Sequence, residues 1–270
     1  MTSIDLPAYL ERIGHQGPVA PNLETLKALH LAHVYTFPFE NLRSYGGRPV
    51  SLKLNDIEDK FVRRKRGGYC FEGNTLFAAV LRRVGYQVTP LIARVRWMRP
   101  PDEPTPRTHM LLRVEIDGRS WIADVAFGGV GQTVPLALET GLVQPTTHEP
   151  RRYIERDGIF THQIQLGPER WEDVYQFDLR EAAPIDFVAA NWFVCTHPES
   201  LFTNTLFVTL PRPGQRLILF SGEFTRRHLD GRIEKRPVAD DADLRDLLVR
   251  EFGLPPDDPD VREATMGTRR

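Results

Sequence analysis

The chain has 270 residues, of which 41% are hydrophobic and 26% are charged, the composition of a folded globular protein long enough for one to three domains. Lysine and arginine number 35 against 36 aspartate and glutamate, so the formal net charge is -1. That balance gives no basis for nucleic acid or an anionic membrane as the main partner.

Two cysteines, Cys70 and Cys195, are too few for a disulfide framework. Residues 1–14 lack the basic start and the apolar run of a secretion signal. No stretch reaches the ~20 apolar residues that a membrane-spanning helix requires. We therefore expect reduced thiols, no membrane association and a cytoplasmic location.

The first third of the chain has the periodicity of helices. Apolar residues recur at roughly helical spacing over residues 21–35, and Pro38 breaks that pattern before a loop. A second helix is predicted over residues 71–84, because apolar pairs recur there every four residues. Gly85 is well placed to end it as a C-terminal cap.

After Gly85 the apolar period changes to two, which indicates strands. Residues 91–97 and 110–116 alternate, and a proline-rich, charged loop separates them. Asp117-Gly118 is a strong hairpin signal, with residues 121–125 as the returning strand. The later predicted elements are strands at residues 153–160, 162–166, 171–179, 206–210 and 216–220, and a helix at residues 241–252.

These elements predict an α+β protein in three parts, with a candidate boundary near residues 183–186. Residues 1–85 are a helical N-terminal part, and residues 86–185 are a β-rich middle domain. Residues 186–270 are a mixed α/β domain that ends in a flexible tail from Pro255.

The predicted hairpin also places a histidine beside an aspartate. If Asp117-Gly118 form the turn, Leu111 faces Asp124, and His109 lies two residues from Leu111 on the same face. Asp124 is then the diagonal neighbour of His109, with Cα atoms ~7–8 Å apart. A slip of one residue would move Asp124 to the opposite face, so this placement depends on the turn.

Cys70 has a complementary setting. It follows Gly67-Gly68, which permit a close backbone approach, and it lies at the start of the predicted helix. The unpaired N–H groups and the positive dipole end of a helix stabilise a thiolate, and they can stabilise an oxyanion formed beside it. A histidine such as His109 would take the thiol proton, and a carboxylate such as Asp124 would orient the ring.

Other residues in the sequence could also carry chemistry. Cys195 is a rival nucleophile, but it follows an apolar run without a glycine turn, and we interpret it as a structural residue on a strand. His30 and His33 could bind a metal, but no third ligand lies nearby, so a solvated helix face and no metal site are predicted. Residues 128–131 superficially suggest a dinucleotide loop, although no long helix signal follows them.

Five short motifs together resemble the arylamine N-acetyltransferases. They are FPFENL (37–42), RGGYCFE (66–72), THM (108–110), DVAFGG (124–129) and HPESLF (197–202). Their order and spacing match that family along nearly the whole chain, and the second motif is highly specific. One departure is Ala126, where the family commonly has glycine, and its methyl group is expected to narrow the pocket slightly.

The resemblance implies a fold related to papain-like thiol enzymes, with a helical bundle, an antiparallel β-barrel and an α/β lid. It implies acetyl-CoA as co-substrate, with no tightly bound cofactor. The acceptor would be an arylamine, an arylhydrazine or an N-hydroxyarylamine, and the protein a monomer or a homodimer.

The motifs also imply roles for individual residues. Cys70 would be the nucleophile, His109 the base and Asp124 the group that orients the base. Glu40 and Arg66 resemble a family ion pair that holds the catalytic loop. The residues implied to line the acceptor and CoA region are Phe39, Thr108, Phe127, Gly128, Gly129 and Phe202.

Three alternatives stay open at the level of sequence. Macrolactam-forming amide synthases share these motifs but take a polyketide chain from a carrier protein. A peptidase with the same three residues is chemically permitted. A non-catalytic binding module would contain an inert Cys70.

Overall fold

The structure is a computed structural model that describes residues 4–100 and 102–267. Its α-helices, in chain order, are α1 (Leu6–Arg12), α2 (Leu23–Thr36), α3 (Leu42–Tyr45), α4 (Leu54–Glu58), α5 (Cys70–Val84), α6 (Pro184–Thr196), α7 (Leu201–Asn204), α8 (Asp241–Arg250) and α9 (Pro259–Arg262). A π-helical turn, Asp59–Arg63, continues α4. No helix in the described part of the chain is both long and apolar enough to cross a membrane.

The strands are, in chain order, β1 (Phe39–Glu40), β2 (Gln87–Val95), β3 (Arg107–Ile116), β4 (Arg119–Ala123), β5 (Leu136–Ala137), β6 (Arg151–Arg156), β7 (Ile159–Gln165), β8 (Trp171–Phe177), β9 (Phe207–Arg212), β10 (Gln215–Phe220), β11 (Glu223–His228) and β12 (Ile233–Pro237). They form two sheets, with neighbours paired antiparallel. One has the order β5-β4-β3-β2-β8-β7-β6, and the other has the order β1-β9-β10-β11-β12.

The larger sheet curls strongly. The chain beyond β5 meets β6, the strand at the opposite edge, through isolated bridges at Thr140↔Tyr153 and Gln144↔Arg151. The β-rich middle part that the sequence predicts is confirmed, and the β-barrel that the resemblance implies is confirmed only in coarser form, as a curled antiparallel sheet in a mixed α+β fold.

The predicted hairpin is confirmed as β3 and β4. Ile116 pairs with Arg119 and Leu112 with Ala123, which is the register that a two-residue turn requires. Asp117 and Gly118 have φ values of 50° and 74°, the left-handed conformation that such a turn needs at both positions. This register fixes which side chains of β3 and β4 share a face.

The helix of the RGGYCFE motif is also confirmed, since α5 begins at Cys70. It ends where Gly85 adopts φ 112°, a conformation that glycine tolerates without a steric penalty. Buried Leu76, Phe77 and Val80 pack this helix into the main hydrophobic core.

A short strand occupies a segment that the sequence predicts to be a loop. Phe39 pairs with Thr209 and Glu40 with Val208, so β1 becomes the edge strand of the smaller sheet. Its partners lie far along the chain, where periodicity within 37–42 gives no signal. This pairing joins the N-terminal part of the chain to its C-terminal part.

The interpretation of Cys195 as a strand residue is wrong, because Cys195 lies in α6. Pro184 occupies the first turn of that helix, and the Asp186 carboxylate accepts a hydrogen bond from the Ala183 amide at 2.9 Å. Both features favour a helix start. The thiol of Cys195 is buried.

The prediction of a solvated histidine face on α2 is wrong as well. His30 and His33 are both buried, and the Tyr9 hydroxyl lies 2.8 Å from His33 Nδ1. Burial lowers the pKa of His30 to about 4, and it also lowers the pKa of His33 well below its ordinary range. Both rings are therefore neutral core residues at physiological pH.

The segment predicted to be a flexible tail is packed as far as Ala264. Val261 and Ala264 join the core of the C-terminal part, and the carboxylates of Asp258 and Asp260 are buried. Their ionic partners lie about 190 residues earlier in the chain, which explains why the local sequence of prolines and aspartates did not reveal the packing. Residues 268–270, which the same prediction covered, lie outside the described residues.

Candidate active site

Cys70 is the first residue of α5, and its backbone is held by the residues around it. Tyr69 precedes the helix, and its amide donates a hydrogen bond to Glu72 Oε2 at 3.2 Å. The Tyr69 carbonyl oxygen in turn accepts hydrogen bonds from the backbone N–H groups of Glu72 and Gly73. Cys70 therefore lies in the first turn of the helix, where free N–H groups and the helix dipole favour negative charge.

The diglycine that precedes Cys70 is required by close packing. A Cβ atom at Gly67 would lie 1.8 Å from the carbonyl oxygen of Pro38, and one at Gly68 would lie 2.4 Å from Glu72 Oε2. Two backbone hydrogen bonds, from Gly68 to the Pro38 oxygen and from Glu40 to the Gly68 oxygen, join the same segments. A larger residue at Gly67 would displace the loop that carries Cys70, and one at Gly68 would displace either that loop or the Glu72 side chain that holds it.

The thiol of Cys70 lies against β3, next to His109. Its Sγ donates to the carbonyl oxygen of Thr108 at 3.6 Å. Cys70 is only 4% exposed and His109 only 2%, so the site is almost closed to solvent. Thr108, which the resemblance places in the CoA region, contacts the thiol through its backbone.

His109 and Asp124 are in direct contact, as the hairpin register predicts. His109 Nε2 lies 2.8 Å from Asp124 Oδ2, and both side chains are buried. Asp124 follows the last paired residue of β4, Ala123, so its carboxylate reaches diagonally across the end of the ladder. With Nε2 engaged by the carboxylate, Nδ1 is the ring nitrogen left for another partner.

The Asp124 carboxylate is held by further hydrogen bonds. Its Oδ1 accepts from Asn74 Nδ2 at 3.0 Å and from the Ala126 amide at 3.2 Å. Asn74 also donates to the Met110 carbonyl oxygen at 2.8 Å and accepts from the Val125 amide at 3.1 Å. Sequence reasoning missed Asn74, although its position one helical turn after Cys70 places both on the same face of α5.

The electrostatics of this pair favour an ion pair. Burial alone would lower the pKa of His109, but the Asp124 charge and hydrogen bond raise it to about 10, and Cys70 acts in the same direction. Burial would raise the pKa of Asp124, yet His109 and the hydrogen bonds from Asn74 and Ala126 lower it below the ordinary value. The arrangement therefore stabilises an imidazolium beside a carboxylate at neutral pH.

Aromatic rings surround this group. The His109 ring contacts Phe127, with centroids 5.0 Å apart, and Tyr175, with centroids 5.1 Å apart. A second group of rings is packed around Phe202, whose centroid lies 5.7 Å from that of Phe39 and 5.4 Å from that of Tyr69. Sequence reasoning missed Tyr175, because β8 has no local feature that brings it to His109.

Gly128 lies where the chain passes close to these rings. Its φ is 94°, and a Cβ atom there would lie 3.2 Å from Phe207 and 3.3 Å from Phe39. A cleft bordered by Phe39, Phe127 and Gly128 runs on to Arg216. Gly129 lies beside it, where a Cβ atom would be 3.7 Å from Phe207. These predicted lining residues are thus brought together, with Phe207 as an addition that the motifs did not indicate.

The methyl group of Ala126 faces α5. A Cβ atom at Gly73 would lie 2.7 Å from the Ala126 Cβ, so the missing side chain at Gly73 makes room for this methyl group. The Ala126 methyl group therefore packs between the helix and the end of the hairpin, and does not narrow the pocket as expected.

We expect Gly73→Ala to destabilise the fold by about 1–3 kcal/mol through overpacking, even though alanine favours a helix over glycine by ~1 kcal/mol. The double variant Gly73→Ala/Ala126→Gly should recover most of that loss, because the two methyl groups exchange places. Urea unfolding of the four proteins in the cycle measures both effects. A single variant as stable as the wild type would show that the contact is not tight.

Glu40 and Arg66, the predicted ion pair, are both fully buried, and their charged groups lie 2.7 Å apart.

Within residues 4–100 and 102–267, no group of three or more His, Cys, Asp or Glu side chains could hold a metal ion.

Comparison with known proteins identifies the enzyme family of this chain. Residues 22–261 match a family model described as N-acetyltransferase. Curated arylamine N-acetyltransferases include one from Mycobacterium tuberculosis, 41% identical over 93% of this chain and 90% of the relative, and one from Escherichia coli, 40% identical over 96% and 91%. The chain therefore belongs to the arylamine N-acetyltransferase family of enzymes.

Solved structures of relatives agree with this assignment. The arylamine N-acetyltransferase of M. tuberculosis is 40% identical, with a TM-score of 0.89 over 93% of this chain and 94% of that one. The Mycobacterium marinum enzyme in complex with CoA is 38% identical, with a TM-score of 0.88 over 93% of each chain.

Proposed function

We propose that this protein transfers an acetyl group from acetyl-CoA to an arylamine, an arylhydrazine or an N-hydroxyarylamine, through an S-acetyl intermediate on Cys70. The observation that carries the proposal is the 2.8 Å contact between His109 and Asp124, next to a thiol at the start of α5. Further support comes from the relative in complex with CoA and from a Salmonella typhimurium relative described as an N-hydroxyarylamine O-acetyltransferase.

In the first half-reaction, Cys70 attacks the carbonyl carbon of the thioester as a thiolate. His109 holds the thiol proton on Nδ1 while Asp124 accepts a hydrogen bond from Nε2. A bond forms between the Cys70 sulfur and the acetyl carbon, and the bond from that carbon to the CoA sulfur breaks. The CoA thiolate leaves with the proton from His109.

The negative charge that develops on the thioester oxygen requires donors nearby. The N–H groups in the first turn of α5 lie beside Cys70 and carry the positive end of the helix dipole. Because the diglycine and the Glu72 carboxylate fix this turn, the donors are oriented before substrate arrives.

In the second half-reaction, the acceptor amine attacks the S-acetyl carbon. An aromatic amine is largely unprotonated at neutral pH, so its lone pair is available. His109 takes the proton that the nitrogen loses as the amide forms, and the Cys70 sulfur departs. Phe39 and Phe127 border the cleft, and the Phe202 ring packs against Phe39. These apolar side chains suit a planar ring and favour exclusion of the water that would hydrolyse the intermediate.

We also propose a papain-like arrangement of three domains at residues 1–85, 86–185 and 186–270. Support comes from a separate hydrophobic core within the curled sheet and another centred on α8 and the smaller sheet. Two elements cross the proposed boundaries: β1 pairs with β9, and Phe187 and Val194 of α6 pack into the N-terminal core.

We expect double-displacement kinetics, because the single thiol must release CoA before the acceptor can react. Initial rates with acetyl-CoA and an aniline, at several fixed acceptor concentrations, should give parallel reciprocal plots. Intersecting lines would indicate a ternary complex and contradict the acyl-enzyme route. Negligible turnover of a simple aniline would instead favour an amide synthase with a carrier-bound substrate.

A further inference from the structure

The C-terminal segment, residues 255–267, contacts the loop that carries Cys70. Arg66 is fully buried, and its Nη2 lies 2.7 Å from Glu40 Oε1. Its other amino group, Nη1, lies 2.9 Å from Asp260 Oδ2 and also contacts Asp258. The C-terminal segment thus supplies two of the three carboxylates around this arginine.

Buried charges connect this arginine to the start of α5. Lys60 Nζ lies 3.3 Å from Glu40 Oε1 and 2.8 Å from Glu72 Oε1. The second carboxylate oxygen of Glu72 accepts a hydrogen bond from the backbone amide of Tyr69, the residue before Cys70. Carboxylates and cations therefore alternate without a break from Asp258 to the backbone at the nucleophile.

The contacts of Arg66 leave it dependent on these carboxylates. Burial alone would lower its pKa, but the three surrounding carboxylates raise the pKa of Arg66 above its ordinary value. Among the described residues, Nε of this arginine has no hydrogen-bond partner, so its charge is compensated through the two amino groups. Removing a partner from a buried charge is costly, because the remaining charge has no access to water.

Arg66 lies four residues before Cys70, and the intervening diglycine packs against Pro38. A shift of the guanidinium towards other partners would therefore move the loop and the first turn of α5. A displacement of about 1 Å at a catalytic group can cost roughly 100-fold in rate.

We propose that Asp258 and Asp260 are positioning residues for acetyl transfer, which hold the Cys70 loop in its reactive geometry through Arg66. This inference rests on the proposed role of Cys70 as the nucleophile. The C-terminal segment is accordingly part of the active-site framework, although it does not touch the reacting atoms.

The test is the double variant Asp258→Asn/Asp260→Asn, compared with two controls from the same segment. Asp257→Asn changes an exposed aspartate, and Val261→Ala truncates a buried core residue that takes no part in the ion network. Two rates are measured on folded protein: acetylation of Cys70 by acetyl-CoA, and alkylation of Cys70 by iodoacetamide as a function of pH.

We expect the double variant to lose roughly 10- to 100-fold in the acetylation rate and to be alkylated more slowly than the wild type across the pH range. Asp257→Asn should match the wild type, and Val261→Ala should lower the thermal midpoint while keeping both rates. Asp258→Asn alone leaves Asp260 on Arg66 and should give a smaller loss in the same direction, which decides the matter if the double variant does not fold.

Wild-type rates in the folded aspartate variants would overturn the inference. An equal loss in Val261→Ala would also overturn it, because the effect would then follow stability rather than position. A wild-type protein that is not acetylated on Cys70 would contradict the proposed function itself, and the two failures are thereby distinguished.

Discussion

Cys70→Ala is expected to abolish acetyl transfer, with a loss of at least about 10⁴-fold, since enzymes that form covalent intermediates lose up to roughly 10⁶-fold without their nucleophile. The alanine should cost little stability, because Cys70 is a small residue in the first turn of α5 and its backbone contacts stay in place. The measurement is the steady-state rate with acetyl-CoA and an aniline, together with a thermal unfolding curve.

Cys195→Ala is the matched control for this loss. Its thiol is also buried, in α6, and its sulfur lies 4.0 Å from the Trp192 carbonyl oxygen. The variant should keep most of the activity. Full activity of Cys70→Ala would remove the basis for the proposed mechanism. So would residual activity of Cys70→Ala that is lost when Cys195 is also replaced.

Asp124→Asn should cause the second large loss. The change keeps the shape of the side chain but removes the charge beside His109, and its amide can donate to Nε2 and favour the wrong tautomer. The equivalent change in a serine-protease triad lowers turnover about 10⁴-fold, and a thiol needs less help from a base, so we expect about 10²–10³-fold here. Asp117→Asn, in the hairpin turn, is the control, because asparagine supports the same left-handed conformation.

The pKa of His109 gives a second readout for the same variant. In the wild type it is raised to about 10 from an ordinary 6.5, and burial without the Asp124 charge should bring it below 6.5. The stability that the raised pKa contributes is fully present below pH 6.5 and is lost as the pH rises through about 10. Asp124→Asn should lack this dependence, and an NMR titration of the ring with unfolding curves across that range measures both. A His109 pKa that stays near 10 in the variant would show that Asp124 is not the cause of the raised value.

The contact between His109 and Asp124 could be predicted from sequence because a two-residue turn fixes the register of a hairpin. Asp117-Gly118 demand left-handed backbone at both positions, and that demand determines which residues share a face. The start of α5 at Cys70 was predictable for a similar reason, since the diglycine, the apolar period and Gly85 are all local signals.

Residues that reach the site through tertiary packing could not be predicted in this way. Tyr175 lies against His109 only because the larger sheet curls, and Asp258 meets Arg66 across nearly 200 residues of chain. The burial of His30 and His33 was missed because buried and exposed positions on α2 depend on what packs around it, and both polar rings lie in the core.

The most direct test of the proposed acyl-enzyme is intact mass spectrometry after addition of acetyl-CoA without an acceptor. We predict a mass increase of one acetyl group, which peptide mapping places on Cys70 and which disappears when an aniline is added. An unmodified protein, or an acetyl group on Cys195 instead, would contradict the mechanism.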